Sequence, residues 1–141
     1  MICSNQTTDN LQDTHLAETF HRLEADPTGL DAHQPGAKLD AGKSQAGILN
    51  DFALALIAVA EVGTFGAIKY TRGGWQAVPN AIARYNDAGW RHKLKGCVET
   101  HDHESKLLHK AHEAWNVLAE LELTLRKHRD TAVTTKQAAQ E

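Results

Sequence analysis

Apolar residues recur along the chain at Leu107, Leu108, Ala111, Ala114, Trp115, Leu118, Leu121 and Leu125. That is helical spacing, and it predicts a long helix from Ser105 to about Arg126 with one apolar face. Ser105 offers an N-cap hydroxyl, with Glu104 beside it near the positive helix end. Upstream, Ile48 to roughly Gly66 is apolar almost all round, through Leu49, Phe52, Leu54, Leu56, Ile57, Val59, Val62 and Phe65. A helix without a polar face is expected to be buried. Pro79 stands at the first turn of a third helix, Asn80 to about Leu94, with Ile82, Tyr85 and Leu94 on one side. Its second half is basic (Arg84, Arg91, His92, Lys93, Lys95), and Gly96 stops it. A short amphipathic helix over Leu11–Leu23 is closed by the turn residues Asp26-Pro27-Thr28-Gly29. No period-2 run is long enough for a strand.

The expectation is an all-α protein, a small helical bundle. It divides into a variable N-terminal segment (1–35), a helical domain (36–126) and a fraying C-terminal tail (127–141). The helix from Ile48 needs cover on every side, which one short chain barely provides, so a homo-oligomer is expected. Its most apolar run, Ile48 to Val62, contains Asn50, Asp51 and Glu61 and reads as too short for a bilayer. Hydrophobic content of 41% and charged content of 23% are those of an ordinary soluble domain. A formal charge of −3 argues against a surface for duplex nucleic acid. Cys3 and Cys97 make neither a disulfide framework nor zinc spacing, and Met1 to Asn10 has no apolar signal core. A cytoplasmic setting, with no membrane partner, is expected.

The chemistry concentrates in the long helix and its entry. Four of the nine histidines lie at His101, His103, His109 and His112, beside Asp102 and Glu104. His109, His112 and Asn116 stand at i, i+3 and i+7, so with Glu113 they line the face opposite the leucines. A solvated polar face competes here with a site for metal or phosphate, since neutral imidazole is a common metal ligand and carboxylates suit hard cations. Glu122 falls within the apolar sector and reads as a rim residue. Glu61, inside the apolar helix, reads as a buried, paired carboxylate, which is a functional candidate. The loop Gly36-Ala-Lys38-Leu-Asp40-Ala-Gly42-Lys43 could let its backbone approach a ligand, although it is not a Walker A loop and a flexible linker is the plainer reading. Lys69, Tyr70, Arg72 and Trp75, with paired glycines, would suit a phosphate and base-stacking lip, or else a surface loop anchored by its Trp.

Four segments occur together in order: G-A-K-L-D-A-G-K (36–43), A-E-V-G-T-F-G-A-I-K-Y (60–70) with Trp75, Trp90-Arg91-His92, and D-H-E-S-K-L-L-H-K-A-H-E-A-W-N-V-L-A-E-L-E (102–122). Over roughly residues 36–126 this combination resembles the small phage-borne dATP/dGTP diphosphohydrolase N-terminal domain family, similar in character to MazG-type nucleotide pyrophosphohydrolases. The resemblance implies an all-α fold, a purine deoxynucleotide ligand and Mg²⁺ or Mn²⁺ at the phosphates. On that basis Glu61, Asp102, Glu104, His109 and His112 are expected to hold metal and orient water, with Glu61, Glu104 and His112 in the catalytic step. Lys38, Asp40, Lys43, Lys69, Arg91 and His92 are expected near the phosphates, Tyr70 or Trp75 on the base, and Asn116 on base or sugar. The chain departs from the family at Ser44-Gln45-Ala46-Gly47, where a Pro-Arg is expected, and at Lys106-Leu107; it also lacks the E-x-x-E and E-x-x-D pairs of MazG-type enzymes. Two alternatives stand beside pyrophosphate release. One is a sponge that sequesters nucleotide immune signals without turnover. The other is an HD-type phosphohydrolase using His92, the His101-Asp102 dipeptide and a later carboxylate.

Overall fold

A computed structural model describes residues 25–138. The chain divides into two compact units after Ile48, and each is taken by itself. The helix expected over Leu11–Leu23 lies outside the described residues.

In the first unit, residues 25–48 form a series of turns around one carboxylate. Asp26 is buried and accepts from the Lys38 N–H at 2.6 Å, the Thr28 N–H at 2.7 Å and the Thr28 hydroxyl. The Thr28 hydroxyl first, then the amides, hold its pKa down at about 2. Gly36 and Gly42 adopt φ of 91° and 75°, which only glycine takes freely, and so the loop turns back on itself. Lys38 pairs with Asp40 at 3.0 Å on the surface, and Lys43 is exposed.

The second unit is helical. A 3-10 turn over Ala46–Phe52 leads into α1 (Ala53–Lys69); a second 3-10 turn, Gly74–Ala77, precedes α2 (Ala81–Lys95), and α3 runs over His109–Ala138. The described residues contain no strand, so the all-α expectation holds. Helix α3 is the spine on which α1 and α2 pack. It continues well past Arg126, where the apolar periodicity ends. Helix α2 starts after Pro79 with Asn80 in the left-handed region, φ 56°, and closes with His92, Lys93 and Lys95 against its negative end. At α1–α3 contact Gly63 faces the ring of Trp115. Trp115 in turn meets Trp75 edge-on at 6.4 Å, and Trp75 meets Tyr85 in the same way at 6.5 Å.

Two expectations about faces are overturned. On α3 the polar side packs together with the start of the apolar stripe: His109 is 0% exposed and His112, Asn116 and Ala111 are buried, whereas the later stripe residues Leu118, Leu121 and Leu125 are about half exposed. Hydropathy assumes that polar heads seek water. These heads find hydrogen-bond partners in His92, Glu99, Ser105 and the His112 carbonyl instead, which removes the cost of taking them inside. Likewise α1 is not buried all round. Val59 and Val62 are inside, but Leu54 is 87% exposed and Ile57 and Ile68 are also outward. Glu61 is exposed, so it is not the buried, paired carboxylate expected from its apolar neighbours. The helical stretch Ala46–Lys69 spans 24 residues with a mean hydropathy of 1.7 in its most apolar window, and by length and composition it could cross a membrane. The expectation that this run is too short is corrected accordingly. Glu122 does sit on the rim, paired with Arg126 at 2.6 Å.

Candidate metal centre

Between α2 and α3 the chain makes a tight loop that does most of the positioning. Glu99 is fixed at the end of α2 by its N–H to the Lys95 carbonyl at 2.9 Å. The chain then pairs with itself: an antiparallel bridge joins His101 to Leu108, the Asp102 N–H donates to the Leu107 carbonyl at 2.8 Å, and the His109 N–H donates to the Thr100 carbonyl at 3.0 Å. Lys106 takes a left-handed φ of 63° to close the turn. Helix α3 therefore begins at His109 and not at Ser105. The Ser105 hydroxyl, expected to cap the helix, is spent on the loop.

Asp102 sits at the neck of this loop. Its Oδ1 accepts from the Ser105 N–H at 2.9 Å, the Ser105 hydroxyl at 3.1 Å and the Glu104 N–H at 3.1 Å. Burial pushes the carboxyl up, but these three donors and nearby His112 outweigh it and hold the pKa at about 2. With its hydrogen given to Asp102, the Ser105 oxygen accepts from His112 Nε2 at 2.7 Å and from the Leu107 N–H at 3.2 Å. This network assigns the proton of neutral His112 to Nε2.

His109 is assigned by the same logic. Its Nε2–H donates to Glu99 Oε1 at 3.0 Å, which leaves the lone pair on Nδ1. That lone pair lies 2.9 Å from Nδ1 of His92. The ring of His92 is clamped from its other neighbour by stacking on His112, 4.4 Å between centroids and 8° from parallel. One ligand atom from each of His92, Asp102 and His109 falls within 4.8 Å of the other two. Donors about 2.1 Å from one ion lie about 3 to 4 Å apart, so two imidazoles and a carboxylate here are close to the spacing one ion requires. Among the described residues this is the group with that property.

The electrostatics keep the His92 imidazole neutral. Burial first, then the neighbouring His112 and His109, lower the pKa of His92 from 6.5 to about 4, against a smaller upward pull from Asp102; burial lowers His112 as well. Glu99 is held low by its hydrogen bond to His109. A folded-state pKa below the unfolded one means that the unfolded chain takes up protons first as pH falls. Stability is then complete above about pH 6.5 and is lost progressively between about 6.5 and 4. Thermal unfolding of metal-free protein should show this fall, and His92→Gln should flatten it; a melting temperature constant from pH 7 to 4.5 would contradict the assignment.

Other expected site residues fall elsewhere. Glu104 is on the outer rim of the loop and pairs with Lys69 from the end of α1 at 2.5 Å, a hydrogen bond that raises the Lys69 pKa. Lys69 also lies 5.5 Å from the ring of exposed Tyr70. Trp75 is the anchor of the aromatic cluster, not a free stacking surface, and Arg126 lies over its ring. Arg91 is exposed. The Asn116 amide is buried and donates to the His112 carbonyl at 2.7 Å. Glu61 lines a separate cavity of about 160 Å³ with His101, Lys106, Leu108 and Ala111. His101 and Leu108 thus line that cavity, while Asp102 and His109 belong to the metal-type cluster. A larger depression of about 560 Å³ is lined by α3 residues alone, Leu123 to Thr134, and lies away from this chemistry. Lys38, Asp40 and Lys43 belong to the first unit and are described there. Glu99 was not foreseen: it lies in a turn, where no periodicity marks it. Ser105 was noticed, but for a different role.

An all-α domain in which α2, α3 and the loop between them bring two histidines and an aspartate together defines a helical protein with a His–Asp group that could hold a metal ion. The chain belongs to the dATP/dGTP diphosphohydrolase N-terminal family, whose profile matches residues 33–132. No match was found among curated proteins or among solved structures.

Proposed function

We propose that the domain hydrolyses a purine deoxynucleoside triphosphate to the monophosphate and pyrophosphate, with a divalent ion held by His92, Asp102 and His109. The observation that carries this reading is the convergence of those three side chains, each oriented by a different partner, in a chain of this family. When bound, the ion would neutralise phosphate oxygens and lower the pKa of a water. The chain's own work is positional. Glu99 holds His109 in one tautomer, Ser105 and the Glu104 amide aim the Asp102 carboxylate, and His112 keeps His92 in plane. Lys69 and Arg91 supply exposed positive charge to draw in an anionic substrate.

The HD-type reading keeps one support: His92 and Asp102 do meet, although His109 stands where His101 was expected to contribute. Product analysis separates the readings. Purified protein incubated with dATP or dGTP and divalent ions, followed by ion-exchange chromatography, should yield dNMP and pyrophosphate. Nucleoside with triphosphate would favour the HD-type reaction, and intact nucleotide recovered only on heating would favour a sponge. Exposed Leu54, Ile57 and Ile68 on α1 and Leu121 and Leu125 on α3 support a homo-oligomer, which a monomeric mass in light scattering would refute. A cytoplasmic setting, that of the host for a phage-borne chain, fits a reaction on free nucleotides.

A further inference from the structure

We infer that the centre is built for an imidazole-favouring transition ion of the Zn²⁺ type, not for Mg²⁺, and that Glu99 is the positioning residue that makes it so. This rests on the proposed metal site and adds its ion and its second layer. Mg²⁺ takes oxygen ligands in a near-ideal octahedron and keeps several of its waters. Two of the three donors here are imidazole nitrogens, and His109 is sealed from solvent, so there is little room for a hydrated ion on that side. Two histidines and a carboxylate with an open position are the ligand set of catalytic zinc sites.

Glu99 supplies the feature such sites share. A ligating histidine usually gives its other N–H to a carboxylate, which fixes the tautomer and makes the ligating nitrogen more basic. Glu99 Oε1 does this to His109 Nε2 at 3.0 Å, while its Oε2 lies 2.7 Å from His103 on the outside. The His109 ring cannot turn away, because its backbone is tied to Thr100 and the ring is wholly buried. Asp102 shows the same economy: Oδ1 is filled by three donors, which leaves Oδ2 to ligate. Each of the three ligands thus has its own holder before any ion arrives.

The test is equilibrium dialysis of the chelator-stripped full chain against Zn²⁺, Co²⁺, Mn²⁺ or Mg²⁺ alone, with bound ion counted by elemental mass spectrometry and Co²⁺ followed by its visible absorption. The expected result is about one Zn²⁺ or Co²⁺ per chain, retained in millimolar Mg²⁺ and lost in His92→Ala. Glu99→Gln, which preserves shape, should weaken Zn²⁺ binding by about 10- to 100-fold with an unchanged circular dichroism spectrum. Displacement of Zn²⁺ by millimolar Mg²⁺, or wild-type affinity in Glu99→Gln, would overturn this inference while leaving a metal site at the triad intact. No binding of any ion, or binding that His92→Ala leaves undiminished, would remove the proposed metal site and this inference with it.

Discussion

Asp102→Asn should leave the fold in place and lower hydrolysis by roughly 10²- to 10³-fold, the scale seen when one preorganised electrostatic contact is removed from a reacting centre. The asparagine oxygen can still accept from the Ser105 N–H and hydroxyl and from the Glu104 N–H, so the loop keeps its neck. What is lost is the anionic oxygen that faces His92 and His109. Asp102→Ala should do more, because it also strands three donors. That adds about 1–3 kcal/mol of lost stability to the lost rate. The pair of variants separates ligation from architecture: single-turnover product formation reads the first and thermal unfolding the second. Full activity in Asp102→Asn would take this carboxylate out of the chemistry. An alanine variant as stable as the parent would mean that the loop does not depend on it.

Gly63→Ala should destabilise the protein, although alanine is the better helix former. A methyl group at Gly63 would lie 2.3 Å from one ring carbon of Trp115 and 2.6 Å from the next, far inside contact distance. The ring cannot simply retreat, since Trp75 and then Tyr85 are packed edge-on behind it. The helix gains up to about 1 kcal/mol from the substitution, and overpacking costs about 1–3 kcal/mol, or more where nothing gives. A net loss of about 1–2 kcal/mol corresponds to a melting temperature lower by about 5 °C or more in a domain of this size. Trp115→Phe in the same chain should recover part of the loss by vacating the space. A rise in melting temperature for Gly63→Ala alone would show that α1 and α3 are not this close.

Much of the helical layout was legible. Helix α2 could be read to within a residue or so from Pro79, its basic end and Gly96, because those signals act locally. So could the existence of α1 and α3, and the concentration of histidine and carboxylate chemistry at the start of α3. What could not be read was which way α3 faces. Hydrophobic periodicity locates a stripe and then assumes that the stripe goes inward, yet here only its first part does, with Ala111, and the rest of the inward side is His109, His112, Asn116 and Ala119. Its members are stabilised by Glu99, by Ser105 and by each other, partners that become neighbours only once the loop has closed. The same rule misplaced Glu61, whose apolar surroundings in sequence became a mostly exposed helix in space. Ser105 illustrates the limit differently: a hydroxyl before a helix reads as a cap, and only the pairing of His101 with Leu108 moves the helix start on and frees that hydroxyl for Asp102 and His112.

The loop between α2 and α3 also bears on how the molecule comes to be folded. The bond between His92 and His109 spans 17 positions and that between Glu99 and His109 spans 10, so the whole centre closes over short stretches of chain. Closing such loops costs little entropy, and contacts of low sequence separation form early. The α2–loop–α3 hairpin can therefore assemble its histidines before α1 docks against Trp115. In refolding, the order of events would then be set by this hairpin, onto which the apolar helix docks.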